Sequence, residues 1–434
     1  MFAQSMAPQY APLVSFVATI ILIVLLRPVA ARIGLVDVPN ERKSHVTPTP
    51  LVGGLAVFSA LVLGFFLCKD GPVPLSQRHV YSFFGAGLLL VGTGVLDDFF
   101  DLSPAVRFVA QVLASLLMIF GAGVVLNDLG SLLPSGAVLP LGILAVPFTV
   151  FATLGIINAL NMCDGLDGLS GSLTLTSLSG LILAAYTWGV PADTALLPIL
   201  GTAIVGFLMF NLRLMGRSRA SIFMGDAGSM FLGFSLTWYA IALSQGEVRA
   251  LPPAAALWFL MIPIFDAVSM MLRRILKGRS PFSADREHLH HIFLLAGYTV
   301  NETVAVMTGL ASCGVFVGLA SIYFEIPQLV VAAGFLLAGV GYFWTLTHAW
   351  RVMRFLSSSI CRRRGTADRR RGPSADYAGS ERRSGRDRRA TAALAVATAP
   401  VSKPVGSKPV VSKPAGSLPA AASTSTRAPH PPGH

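Results

Sequence analysis

Apolar stretches near the length needed to cross a bilayer recur from Ala11 to about Leu346, separated by short polar connections. The pattern predicts about eleven transmembrane helices, near residues 10–31, 51–68, 81–96, 105–126, 141–158, 170–188, 196–211, 222–244, 254–275, 303–323 and 328–348. Each must be helical, because lipid offers a spanning backbone no hydrogen-bond partners. The first stretch is too long for a signal-peptide core and lacks a basic start, so it reads as the first span. Lys and Arg sort the connections into two sets. One holds Arg32, Arg42, Lys43, Arg213, Arg217, Arg219, Arg273, Arg274, Lys277, Arg279, Arg286, Arg351 and Arg354; the other holds little beyond Lys69, Arg78 and Arg249. The rich set is cytoplasmic. An odd number of helices then puts the N-terminus outside and the C-terminus in the cytoplasm. The expected fold is an all-α polytopic integral membrane protein.

Composition agrees. Only 12% of the 434 residues are charged, about half the fraction usual for a soluble chain, and mean hydropathy is +0.67. The net charge of +12 is local, because 15 Lys/Arg against 4 Asp/Glu lie between Cys361 and His434. The chain therefore reads as a membrane-embedded domain, 1–350, and a cationic tail, 351–434. The tail runs through arginine clusters (Arg362–Arg364, Arg369–Arg371, Arg382–Arg389) into a loose repeat, Ser402-Lys-Pro, Ser407-Lys-Pro and Ser412-Lys-Pro. Nothing in it can bury a core, so disorder is expected. Attachment to anionic headgroups of membrane lipids and a solvated tail without a partner explain it equally well. No nucleic acid is expected, since aromatics do not interleave with the basic residues. Cys68, Cys163, Cys313 and Cys361 lie far apart and suggest neither a zinc site nor a disulfide framework.

The polar clusters fall at the predicted cytoplasmic ends. Asn158, Asn161, Asp164 and Asp167 are spaced by threes, which brings them toward one face of a helical turn. Carboxylates at a membrane boundary are costly and call for a reason. Asp97-Asp98, with Asp101, follows an apolar run; paired carboxylates ionise together only with a cation or donors nearby. Alone, the pair would serve as well as a solvated helix end. Phe223-Met-Gly-Asp-Ala-Gly-Ser229 opens an apolar helix. Its glycines admit close backbone approach, its free N–H groups suit phosphate, and Asp226 is a natural Mg²⁺ ligand. An N-cap aspartate among packing glycines is the plainer alternative. His288-Leu-His-His291 lies in a basic loop behind Arg286 and has no fourth zinc ligand, so it suits an anionic diphosphate or sugar hydroxyls. The turn-rich loop from Asp37 to Gly54 places Lys43 and His45 within reach of phosphate, although ordinary positive-inside topology accounts for its basic residues equally well.

These segments, in this order, resemble the polyprenyl-phosphate N-acetylhexosamine-1-phosphate transferases of glycosyltransferase family 4, over about residues 10–350. The resemblance implies transfer of a sugar-1-phosphate from a UDP-sugar to undecaprenyl phosphate, giving undecaprenyl-diphospho-sugar and UMP, with Mg²⁺ as cofactor and Mn²⁺ as the alternative. His45-Val-Thr-Pro-Thr-Pro-Leu-Val-Gly-Gly and His-Leu-His-His depart from the branch acting on UDP-MurNAc-pentapeptide. The run Arg273-Arg274-Ile-Leu-Lys-Gly-Arg-Ser-Pro-Phe-Ser-Ala-Asp-Arg-Glu-His looks like the UDP-GlcNAc branch.

By that resemblance Asp226 holds the metal with Asn161 and Asp164, and Asp97, Asp98, Asp164, Asp167, His290 and His291 form the catalytic set. Lys43, His45, Asn158, Asn161, Asn211, Phe223, Arg286 and His288 bind substrate, with Phe223 stacking on uracil. The same family implies a bacterial inner membrane, an active site on the cytoplasmic face and, as a further option, a homodimer. Direct attack by the lipid phosphate and a covalent phospho-aspartate both remain open at this level. A cation-coupled transporter is the rival from another class, but it would carry internal repeats and acidic groups near mid-membrane.

Overall fold

The computed structural model describes residues 8–38, 48–67, 76–188, 194–213, 217–280 and 288–348. All belong to one unit, Met1–Arg364. The tail after residue 350, and with it the expectation of disorder, lies outside the described residues, as do Lys43, His45 and Arg286.

Every predicted span falls on a helix. In chain order these are α1 (Ala11–Ile33), α2 (Gly53–Leu67), α3 (Gln77–Phe100), α4 (Pro104–Leu116), α5 (Ala145–Cys163), α6 (Leu169–Thr187), α7 (Leu196–Asn211), α8 (Gly225–Ala242), α9 (Pro253–Phe259), α10 (Met261–Leu276), α11 (Leu289–Leu295), α12 (Val300–Tyr323) and α13 (Gln328–Thr347). Among the described residues seven helical segments are long and apolar enough to cross a membrane, or eight if the bent pair α9–α10 counts as one. The number falls short of eleven for local reasons. α2 and α7 are apolar but have only 15 and 16 residues, and α8 opens on Asp226.

The ninth predicted span is broken rather than straight. α9 and α10 meet at 83°. Pro263 has no N–H to return to the Phe259 carbonyl, so the helical ladder opens there. The freed Phe259 oxygen accepts from the Ser177 hydroxyl at 2.6 Å, which meets the demand that buried backbone be satisfied.

α8 is the axis of the bundle. Every side chain from Ala227 to Ile241 is buried, as expected of a helix apolar on all faces. It packs against α2, α3, α5 and α6. Glycines set the closeness: a Cβ at Gly54 would strike the Gly228 backbone, and one at Gly94 the Ala227 backbone. Gly53 and Gly54 thereby bring the start of α2 against the backbone of Met224 and Gly228. A second apolar cluster gathers Cys163, Leu166, Leu169, Ile262, Leu289 and Met307, from α5, the turn after it, α6, α10, α11 and α12.

A two-stranded antiparallel ribbon, β1 (Val36–Asp37) and β2 (Thr49–Pro50), closes the loop between α1 and α2. Its continuation is stitched to the α7–α8 connection: Phe223 N donates to Pro50 O, Gly53 N to Phe223 O and Gly54 N to Met224 O, at 2.9, 3.0 and 2.9 Å.

Candidate active site

Two helix ends lie differently from the sequence expectation. α3 runs on to Phe100, so Asp97 and Asp98 sit in its last turn. α5 runs on to Cys163, so Asn158 and Asn161 are helical and Asp164 is the residue that ends the helix. Both extensions carry polar groups toward the start of α8.

There the acidic residues meet. The Asp98 carboxylate accepts from Asp226 N at 3.0 Å and from Ala227 N at 3.5 Å. Gly225, at φ +74°, leaves room for this: Asp98 Oδ2 lies 2.5 Å from where its Cβ would stand. The α8 N-terminus is thus capped by a side chain of the protein. Two of the N–H groups that the sequence offers to phosphate, those of Asp226 and Ala227, are taken by Asp98. Asn161 donates to Asp226 Oδ1 (2.5 Å) and to Ser229 Oγ (2.8 Å). Asp97 is buried, accepts from Leu102 N at 2.8 Å and Arg107 Nη1 at 3.0 Å, and lies within hydrogen-bonding reach of Asp226. Arg107 also reaches Asp226 at 4.0 Å.

Asp226 keeps 32% side-chain exposure, whereas Asp97 keeps 2%. The open carboxylate is therefore Asp226. Among the described residues no three His, Cys, Asp or Glu side chains enclose a metal by themselves. Hard oxygen donors on one open side nevertheless suit Mg²⁺, which usually takes one or two carboxylates and completes its shell with water and substrate phosphate. The residues present fit such a cation.

Asp164 borders this cluster. It accepts from the Ser170 hydroxyl. Burial pushes its carboxyl up to about 7, and the charges of Asp226, Asp167 and Asp37 add to the rise. It is a carboxylate poised to gain or lose a proton near neutrality.

Other sequence-derived residues are tied into the scaffold. Asp167 Oδ2 accepts from Arg213 Nε at 2.7 Å and Ala220 N at 2.9 Å. Asn211 is buried, with its Oδ1 accepting from Gly168 N and its Nδ2 donating to Ile222 O, both at 2.8 Å. Asn158 donates to Gln111 Oε1 (2.8 Å) and Leu154 O (2.7 Å), one turn before Asn161. Phe223 is half-buried beside the ribbon.

The histidines come to the same end. A Cβ at Gly165 would lie 3.0 Å from His290 Nε2, so His290 stands against the Asp164–Gly168 turn. His290 and His291 have ring centroids 4.2 Å apart, and His288 stacks on His290 at 5.5 Å. Burial, with the neighbouring His291, depresses His290 to about 3, so it is neutral at pH 7. His288 Nδ1 is 2.7 Å from Asp266 Oδ2.

Sequence reasoning passed over Arg107, Ser170, Ser229 and Asp266. Asp266 did carry a signal, as a lone acid inside the predicted span 254–275. Arg107 lies at the edge of the predicted span 105–126, where a lone basic residue carries no signal of its own.

The chain matches the family model described as glycosyl transferase family 4 over residues 80–244, which takes in Asp97, Asp98, Asn161, Asp164 and Asp226. It is 37% identical to the undecaprenyl-phosphate alpha-N-acetylglucosaminyl 1-phosphate transferase of Yersinia pestis over 331 residues, covering 76% of this chain and 89% of that one. It is 37% identical to the protein of the same name from Salmonella typhi over 342 residues (79% and 91%). It is 35% identical to that from Haemophilus influenzae over 343 residues (79% and 95%). With likeness of this extent running through the acidic cluster itself, the chain belongs to glycosyl transferase family 4.

Proposed function

We propose that the protein transfers GlcNAc-1-phosphate from UDP-GlcNAc to undecaprenyl phosphate, releasing UMP, as the first membrane step of a cell-envelope polysaccharide. The observation that carries the reading is the convergence of Asp97, Asp98, Asp226 and Asn161 at one end of α8, in a chain of this family. We further take the eleven apolar helical regions, with α9 and α10 as one, as eleven spans in a bacterial inner membrane, with the N-terminus outside and this end facing the cytoplasm, where UDP-sugars are made.

Mg²⁺, or Mn²⁺ in its place, would be held by Asp226 with Asn161 and Asp164, and when bound would supply Lewis-acid stabilisation of phosphate charge. A phosphomonoester has a second pKa near ~6, so the lipid phosphate is already largely ionised at pH 7 and needs no strong base. Its oxygen attacks the sugar-bearing phosphorus of UDP-GlcNAc. The bond from that phosphorus to the oxygen of UMP breaks as the new phosphoanhydride bond forms, and UMP leaves with the electron pair. We favour direct attack over a phospho-aspartate, because Asp98 spends its oxygens on backbone N–H groups and Asp97 on Arg107 and Leu102. Arg107 offsets acidic charge and orients phosphate; Phe223 stacks on uracil; His290 and His291, with Lys43, His45 and Arg286, contact diphosphate and sugar. The basic tail would hold anionic headgroups at about 1 kcal/mol per residue near the surface.

The deciding experiment incubates purified protein with Mg²⁺, undecaprenyl phosphate and a panel of UDP-sugars and follows UMP. Release with UDP-GlcNAc that depends on the lipid phosphate supports the reading. No UMP from any sugar would sink it.

A further inference from the structure

Asp266 is an acid with no access to solvent, placed in a helix where a buried carboxylate is expensive. It touches none of the acidic residues around Asp226 that the transfer reaction uses. Its two oxygens instead receive three donors from two other elements, the start of α11 and α13. Oδ2 faces His288 Nδ1 at 2.7 Å, and Oδ1 accepts from Leu289 N at 3.2 Å and from Tyr342 Oη at 2.9 Å. α10, the start of α11 and α13 are thereby joined at one point inside the second apolar cluster.

What the join holds is the histidine motif. A carboxylate on His288 Nδ1 keeps the proton on that nitrogen and leaves Nε2 as the free one. The His288 ring lies parallel to His290, with planes 6° apart. His290 in turn stands against Gly165 in the acidic turn, with 1% exposure and both ring nitrogens buried without a hydrogen-bond partner. Buried polar atoms left unpaired are costly and call for a reason. The unpaired Nε2, which faces Gly165 of the Asp164–Gly168 turn, is placed to receive a ligand there.

We propose that Asp266 and Tyr342 are positioning residues, a buried clamp that fixes the tautomer and ring plane of His288 and so aims the His288–His291 motif at the substrate. The proposal rests on the transferase reading given above. It predicts that the clamp acts on turnover through His288, and that neither Asp266 nor Tyr342 touches substrate.

The test uses the full-length protein in detergent, with Asp266→Asn, Tyr342→Phe, His288→Ala and the double variant Asp266→Asn/His288→Ala. Elution as a single species shows that each variant is folded. Asp266→Asn should lower kcat about 10- to 100-fold, the scale of losing an outer-shell partner that orients a histidine, and shift KM for UDP-GlcNAc less than about threefold. Tyr342→Phe, which removes one of three donors, should lower kcat by less. The double variant should be no slower than the slower of its two single variants, since both losses pass through one side chain. ¹⁵N spectra of histidine-labelled protein should show one imidazole protonated at Nδ1 in the native chain, and that signal should move in Asp266→Asn. A folded Asp266→Asn with native kcat, or losses that multiply in the double variant, would overturn the clamp. If native protein releases no UMP, the transferase reading fails by itself. The ¹⁵N signal then still decides whether Asp266 fixes His288, and its persistence in Asp266→Asn would overturn the clamp.

Discussion

The two ends of α5 and α8 solve the same problem, polar groups at the rim of an apolar bundle, in opposite ways. Where α8 ends and α5 begins, the loops 122–144 and 243–252 form a closed ledger of donors and acceptors. Asp128 meets Arg249 through two bonds, at 2.9 and 2.7 Å. Gln245 accepts from Asn127 N at 2.9 Å and donates to Asp128 O at 3.1 Å, and Gln328 reaches Ser131 at 3.1 Å. The Arg249 guanidinium holds the Asp128 carboxyl below the usual carboxylate range. Where α8 begins and α5 ends, Asp97, Asp98, Asp164 and Asp226 gather, and Arg107 reaches only two of them, Asp97 and Asp226, among the described residues. One end has its charges matched and serves stability. The other is left acidic, a state that favours a cation and phosphate and works against the fold that carries it.

The sharpest way to break this contrast is Asp226→Asn. It removes the open carboxylate but keeps an oxygen for Asn161. UMP release should fall at least about 10³-fold, the scale of removing a principal electrostatic contact to the transition state, with the protein still eluting as a folded species. Retention of more than a tenth of native turnover would mean that the acidic end is not the reaction centre.

Asp164 tests the cost to stability. Its carboxyl stands at about 7 in the folded protein against a usual value of 3.8. Folding therefore keeps a proton that the unfolded chain gives up above about pH 4. Stability is drained as pH rises from there to about 7 and is level beyond. Asp164→Asn removes that drain. Its Tm should exceed the native value by about 2 °C or more at pH 8 and match it near pH 4. Turnover should fall about 100-fold. In the native chain, turnover should decline as pH falls through about 7, because the protonated acid no longer serves a cation. Equal Tm values at pH 8 would show that Asp164 is not strained.

How far the sequence shows this contrast depends on period. Apolar runs place all eleven helical regions, because spanning length and hydropathy act over some twenty residues at once. They do not show that α9 and α10 diverge by 83°, since one proline and one hydroxyl decide that. At the active end Asp97, Asp98, Asn161, Asp164 and Asp226 are legible as acids and amides set in an apolar chain. Their division of labour is not. Asp98 caps α8 and Asp167 holds Arg213, and both depend on residues more than forty positions away. The matched end was invisible for the same reason. Arg249 read as a stray charge outside, and its partner Asp128 lies 121 residues earlier.

Arg249 supplies the smallest and most discriminating test, because it should touch stability alone. Arg249→Gln leaves Asp128, 7% exposed, without its counter-charge. Breaking a fully buried pair costs ~3–5 kcal/mol; here Arg249 keeps 30% side-chain exposure, so about 2 kcal/mol is expected. Arg249→Lys keeps the charge but loses the two-pronged contact, and should cost about 1 kcal/mol. The pH dependence has the opposite sign to that of Asp164. A carboxyl held low in the folded state lends stability above about pH 4 and loses it as pH falls through its folded value, so native and Arg249→Gln proteins should converge in acid. Both variants should release UMP at native rates at temperatures where they stay folded. A loss of kcat in folded Arg249→Gln approaching that of Asp226→Asn would show that the two ends are coupled through α5 and α8, and that stability and turnover are not divided between them.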